Sequence, residues 1–312
     1  MSESKKIVVI GDIFADMLTQ LVAYPNCGDG TYGTPLVRRS GGTGGNIAAG
    51  LGVLGADASI ICRLGKDEIG TFLKEDMCNY HVDNQGISLD AQYPSAQVII
   101  AVTPDGERTI WVLANGSAYE QLTPEDMSYL DRVEPEAIFV SGVMMGIHPA
   151  EESIMEVLPK WKGKAKIYFD PNLRYPTDAV PPAVKASLQK LCQLSDVVLT
   201  GKSEMEALDL YPSPNQTFIV KDGKHGSYQL DEQLRVVFRQ PSTDHVAVDA
   251  TGAGDTYAAA YVYAEMSGQE IQDAMRFATV AAGIAVTKPG ARAMPSKEEI
   301  ERYLKGCNKS EA

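Results

Sequence analysis

Six short apolar stretches rich in β-branched residues recur along the chain, with segments of helical period between them. This alternation constrains the fold more than any other feature. The first stretch, Lys6–Gly11, reads KIVVIG, and similar runs fall at Ser59–Cys62, Ala137–Val140, Lys166–Phe169, Asp196–Thr200 and Phe218–Lys221. Runs of this length without in-and-out alternation predict strands buried on both faces. Between them, Ile47, Leu51 and Leu54 share one helical face, as do Ile69, Leu73 and Met77. Pro149–Trp161 and Pro181–Leu194 also read as helices, each opening on a proline, which the first turn tolerates. The pattern predicts an α/β fold: a doubly wound, mostly parallel sheet flanked by helices. A chain of 312 residues suits a single large domain with a small attachment.

Two regions break the alternation. Leu18–Arg39 is rich in Gly, Pro and Thr and has no helical period. Gln97–Leu113 reads as two strands about a Pro104-Asp105-Gly106-Glu107 turn. Inserted segments at about 14–39 and 96–115 predict a small β-sheet, either a lid over the main domain or a plain edge hairpin. The tail Gly306–Ala312 is expected to fray.

The net charge is −13, which argues against a nucleic-acid surface, although one local basic site could still take an anionic substrate. The five cysteines have no metal-ligand spacing, and their odd number suits reduced thiols. The four histidines form no zinc motif. No apolar signal core opens the chain and no run is long enough for a membrane span, so the expectation is a cytoplasmic protein. Gly201-Lys202-Ser203 imitates a phosphate-binding P-loop, but Asp196 stands where its first glycine belongs.

Two glycine clusters carry the chemistry. In Val248–Tyr257 (VDATGAGDTY), Gly252, Ala253 and Gly254 precede Asp255 at the head of a good helix. Small residues at a helix start leave backbone N–H groups open to an anion, and Asp255 can turn its carboxylate into the same space. Such a pairing suits phosphoryl transfer to an alcohol: amides for the phosphoryl charge, a carboxylate for the hydroxyl proton. A glycine turn with an ordinary aspartate cap would look the same. The other cluster, Ser40–Ala48 (SGGTGGNIA), also opens a helix. Gly41 and Gly42 would let a ligand touch backbone, and Asn46 offers donors and an acceptor to sugar hydroxyls. An Asn near an ordinary helix start is the alternative.

GG-x-x-x-N-x-A followed late in the chain by D-x-T-G-A-G-D resembles the ribokinase-like (phosphofructokinase-B) family of carbohydrate and nucleoside kinases. The resemblance spans nearly the whole chain, through Gly11–Asp16, Ile61–Gly70, Asp170–Arg174 (DPNLR), Val220–Ser227 (VKDGKHGS) and Val286–Ala291. It implies ATP as phosphoryl donor, Mg²⁺, and in some members K⁺. It implies Asp255 as base, with the amides of Gly252, Ala253 and Gly254 as anion hole. Asp16, Gly42 and Asn46 would hold substrate hydroxyls. Arg174 would hold an acidic substrate group or serve structure alone. Lys221, Gly223 and Gly226 would line the nucleotide, with Thr279 near its base. Glu204 would organise Mg²⁺ through water. Asp249 and Thr251, with Ala285, Lys288 and Gly290, would match the monovalent-cation site. The lid would carry Tyr32, Val98, Ile100 and Ile110, and a homodimer would form through it.

Two departures from the family pattern stand out. Gly201 replaces the asparagine expected three residues before Glu204, and Phe14 replaces a polar residue usual in ribokinases, which weakens ribose as substrate. The resemblance therefore implies an ATP-dependent kinase acting on a hydroxyl, most simply a primary one, of a sugar, sugar acid or nucleoside. A non-catalytic sugar-binding relative should have lost Asp255 or the glycines, and both remain. A dehydrogenase would need a glycine-rich turn after the first strand, which Gly11–Phe14 lacks.

Overall fold

A computed structural model of the protein describes residues 5–307. All six expected strands enter one nine-stranded sheet. In chain order its strands are β1 (Lys6–Ile10), β4 (Asp57–Gly65), β5 (Ile87–Asp90), β8 (Ala137–Ser141), β9 (Lys166–Asp170), β10 (Val197–Gly201), β11 (Thr217–Lys221), β12 (Ser227–Leu230) and β13 (Val236–Gln240). The spatial order is β13-β12-β11-β10-β9-β8-β1-β4-β5, with β12 antiparallel to both β11 and β13 and every other pair parallel. Successive residues of β1 feed opposite cores: Ile7 and Val9 pack on one face, Val8 and Ile10 on the other. This is why its sequence is apolar throughout and does not alternate.

Helices Thr43–Val53, Ala253–Met266 and Ile271–Ala285 cover the first face, and Ala150–Val157 and Pro182–Leu194 cover the second. The helix Lys297–Cys307 includes Gly306 and Cys307, so the expected fraying does not begin at Gly306; residues 308–312 lie outside the described residues. No described helix is long and apolar enough to cross a membrane.

The irregular segments build a separate four-stranded sheet in the order β3-β2-β6-β7, from β2 (Phe14–Gln20), β3 (Val37–Gly41), β6 (Gln97–Val102) and β7 (Arg108–Leu113). The Gln97–Leu113 hairpin thus belongs to a second sheet and does not extend the edge of the first.

Strand β1 pairs with β4 on one side and β8 on the other, so the chain winds outward in both directions from this point. Ligands of open α/β sheets collect at the carboxyl ends of the strands beside such a switch. Here those ends carry Asp12, Ser141, Asp170, Gly201 and Lys221.

Candidate active site

Close helix packing brings the two glycine clusters together. A Cβ on Gly50 would lie 2.9 Å from the Cβ of Ala259, so helices Thr43–Val53 and Ala253–Met266 touch almost backbone to backbone. Their N-termini consequently share one space, 209 residues apart in sequence: Asn46 Nδ2 donates to Asp255 Oδ2 at 2.8 Å. Asn46 Oδ1 in turn accepts from Arg292 Nε at 3.0 Å. Arg292 is anchored by Asp76 at 2.7 Å, by the Gly41 carbonyl at 3.3 Å and against the Tyr80 ring. Asn46 is therefore bonded through both ends of its amide, to Asp255 and to Arg292. Arg292 gave no motif signal. It lies just past the recognised Val286–Ala291 segment, and only the folded chain places it against Asn46.

Asp255 is 7% exposed. Burial pushes its carboxyl up to about 6, against the Asn46 hydrogen bond and the charges of Arg174 and Lys221. A carboxylate with a pKa near the working pH suits a general base. Gly252 caps this helix at φ 76°, and a Cβ there would overlap the Ala291 carbonyl. Among the described residues, the amides of Gly252, Gly254 and Asp255 have no protein acceptor, while that of Ala253 donates to Ala250 O at 3.2 Å. The expected amide trio is thus altered: Ala253 is committed to a turn, and the Asp255 amide, which the motif did not suggest, is open.

Gly42 adopts φ 83°, and a Cβ there would stand 2.8–2.9 Å from the Asp12–Phe14 backbone. The fold itself thus requires glycine at this position. Asp16 faces Gly41, and burial raises its carboxyl to about 6 although Arg292 pulls it down. It has no hydrogen bond to any described residue. Arg174 donates to Thr43 Oγ1 at 2.5 Å and bears electrostatically on Asp255.

Two cavities meet this region. The first, of about 570 Å³, is lined by Lys221, Gly223, Gly226, Gly254 and Thr279, as the resemblance implied, and also by Thr243, His245 and Gly283, which carried no motif. The second, of about 670 Å³, lies under the small sheet and includes Asp16, Ile100, Arg108, Asp249, Thr251 and Arg292. Tyr32 is 88% exposed and Val98 and Ile110 are absent from the lining, so of the four expected lid residues Ile100 alone faces it. Phe14 packs edge-on against Tyr119 at 4.9 Å and is likewise outside the lining.

Lys221 Nζ lies against Asp170 Oδ2 and 3.6 Å from where a Cβ of Gly254 would be, at the mouth of the open amides. Burial works to lower the Lys221 ammonium, but Asp170, Glu204 and Asp255 override it and hold the pKa above its ordinary value. Asp170 Oδ1 is buried without a partner. Glu204 accepts from Gly201 N at 2.7 Å and Leu173 N at 2.8 Å. No three His, Cys, Asp or Glu side chains among the described residues converge as a metal cluster.

Asp249 accepts from Thr251 N and Oγ1 and from Gly290 N. Partial burial works to raise its carboxyl, but these bonds and Arg108 hold it down at about 2. Ala285 O accepts from Lys288 N, whereas the Lys288 ammonium turns away to Glu299.

The pattern describing pfkB family carbohydrate kinases matches residues 4–298. The chain is 27% identical to a fructokinase of Klebsiella pneumoniae over 96% of its own length and 99% of that protein. It is 26% identical to an aminoimidazole riboside kinase of Salmonella typhimurium over 100% and 99% of the two chains. Among solved structures, an uncharacterized sugar kinase of Pyrococcus horikoshii in complex with ATP superposes with a TM-score of 0.82 at 25% identity, covering 95% and 97%. With the fold, the cavities and these relatives in agreement, the chain belongs to the pfkB family of carbohydrate kinases and is an ATP-dependent enzyme.

Proposed function

We propose that the protein transfers the γ-phosphoryl group of ATP to a hydroxyl, in the simplest case a primary one, of a small carbohydrate. One observation carries this reading: the buried Asp255 carboxylate, its pKa raised to about 6, sits at a helix start with open amides, next to Gly254 of the first cavity and joined through Asn46 to Arg292 of the second. The nucleotide would occupy the cavity of Lys221, Gly223, Gly226 and Thr279. The acceptor would lie under the small sheet with Asp16. Asp255 takes the proton from the attacking hydroxyl, oriented by Asn46. The amides of Gly252, Gly254 and Asp255, with the Lys221 ammonium, face the charge of the group in transit. A sheet closed over the acceptor excludes water, which would otherwise compete for the phosphoryl group.

Mg²⁺ fits the orphaned Asp170 Oδ1 and the neighbouring Glu204, since this ion takes one or two carboxylates and otherwise phosphate oxygens and water. When bound it neutralises phosphate charge. A monovalent cation such as K⁺ would take the oxygen donors of Asp249, Thr251, Ala285, Lys288 and Gly290, a reading supported by the Gly290 N–H to Asp249 bond that joins the two loops. A homodimer through the exposed apolar lid strands, where Ile110 and Val112 are solvent-facing, belongs to the same reading; a monomeric mass by sedimentation would remove it.

The experiment is ADP release from Mg-ATP across sugars, sugar acids and nucleosides, with Asp255→Asn alongside. The expected result is turnover on one compound, lost in the variant. ATP binding with no turnover on any member would overturn the reading. The relatives' names span a hexose and a riboside acceptor, so a nucleoside remains the second acceptor class in that panel.

A further inference from the structure

The pairing register of the small sheet sorts its side chains into two faces. Asp16 lies opposite Arg39 across β2 and β3, Leu18 beside Ile100 across β2 and β6, and Val102 opposite Arg108 across β6 and β7. Directly paired residues share a face, and these six all line the 670 Å³ cavity. That face is apolar along its middle and carries an arginine on each outer strand.

The other cavity arginines are committed. Arg38 pairs with Glu68 and lies over Phe72, and Arg292 is held by Asp76, Asn46 and Gly41. The Arg39 guanidinium has no hydrogen bond or ion pair to any described residue, and its Nη1 stands 3.4 Å from where a Cβ of Gly290 would be. Arg108 is 48% exposed and spends one contact on Thr251 Oγ1 at 3.2 Å, with Asp249 at 3.7 Å. That carboxylate is already satisfied by Thr251 and Gly290. Two guanidinium forks with donors to spare thus reach two loops that the Gly290 N–H to Asp249 bond joins, inside the acceptor cavity of a protein whose net charge is −13. A neutral sugar needs paired carboxylates and amides, whereas a guanidinium fork matches carboxylate or phosphate oxygens.

Resting on the kinase reading above, we propose that the acceptor is an anionic sugar, bearing a carboxylate or phosphate away from the hydroxyl that is phosphorylated, and that Arg39 and Arg108 hold this group. The test uses an aldose, the matching sugar acid and the matching sugar monophosphate, with wild type, Arg39→Gln, Arg108→Gln and Arg39→Lys. ADP release is measured, and binding is followed by calorimetry with a non-hydrolysable ATP analogue. Melting curves verify that each variant is folded.

Wild type should favour one anionic member over the aldose by at least ~10-fold in kcat/KM, as a charged hydrogen bond implies. Each Gln variant should cut that ratio by roughly 10- to 100-fold, chiefly through KM, with Arg39→Lys partly restoring it. The responding arm, acid or phosphate, names the group. An aldose used as well as both anions, or a ratio unmoved in the variants, overturns the anion inference while leaving the kinase reading intact. Arg39-dependent binding of an anionic sugar that is never phosphorylated would uphold the inference and overturn the kinase reading. An anion that neither binds nor turns over better than the aldose overturns the inference.

Discussion

Replacing Asp255 by Asn should cost activity and raise stability together. Burial raises this carboxyl to about 6, whereas the unfolded chain ionises it near 3.8. At about 1.4 kcal/mol per decade, ionising Asp255 inside the fold costs roughly 3 kcal/mol more than in the unfolded chain. Because the folded pKa is the higher one, the penalty is absent below about pH 3, grows as pH rises towards 6, and is complete above it. Asn keeps the shape and can still accept from Asn46 Nδ2, without the buried charge. At pH 8 the variant should therefore be more stable by about 1–3 kcal/mol, a gain of a few degrees in Tm for a chain of this size. The gain should fall to about a third of that at pH 4.5 and vanish by about pH 3. Loss of a general base lowers kcat by about 10²–10⁴-fold. Melting curves at pH 4.5 and 8, with initial rates at pH 8, make the check. A variant that keeps kcat within tenfold would refute Asp255 as base. One that melts no higher at pH 8 would refute a buried, destabilised carboxylate.

Glycines two residues apart should fail in different ways. Gly252→Ala meets the Ala291 carbonyl in a left-handed conformation and should lose at least ~1–3 kcal/mol of stability. Gly254→Ala meets only Lys221 Nζ, at an ordinary 3.6 Å, and gains up to ~1 kcal/mol of helix propensity. Its Tm should hold or rise, while kcat falls because the methyl stands where the phosphoryl group must come. Equal melting losses in the two variants would contradict this geometry. Lys221→Met strands the buried Asp170 carboxylate and should destabilise by about 3–5 kcal/mol. Adding Asp170→Asn should recover much of the melting loss but not the KM for ATP, and recovery of both would remove Lys221 from the nucleotide site.

The sequence by itself determined the main sheet, because a strand buried on both faces must be apolar at every position and such runs have no other cheap arrangement. It also determined the glycine-rich helix start at Gly252, since the left-handed turn there and the close contacts exclude larger residues. Lys221, Gly223, Gly226 and Thr279, singled out in sequence, line one cavity in the fold. Tertiary structure alone decided what Asn46 does, because its partner Asp255 is 209 residues away and Arg292 carries no local signal. The same holds for Gly42, where a neighbouring backbone from another part of the chain imposes glycine. Tyr32, expected on the lid, is exposed to solvent, and Phe14, at a position usually polar in ribokinases, packs on Tyr119. Nothing local marks Arg39 and Arg108 as partners, since they lie on different strands of the small sheet. Strand pairing turns them to one face, and pairing register is a property of the assembled sheet that no single segment encodes.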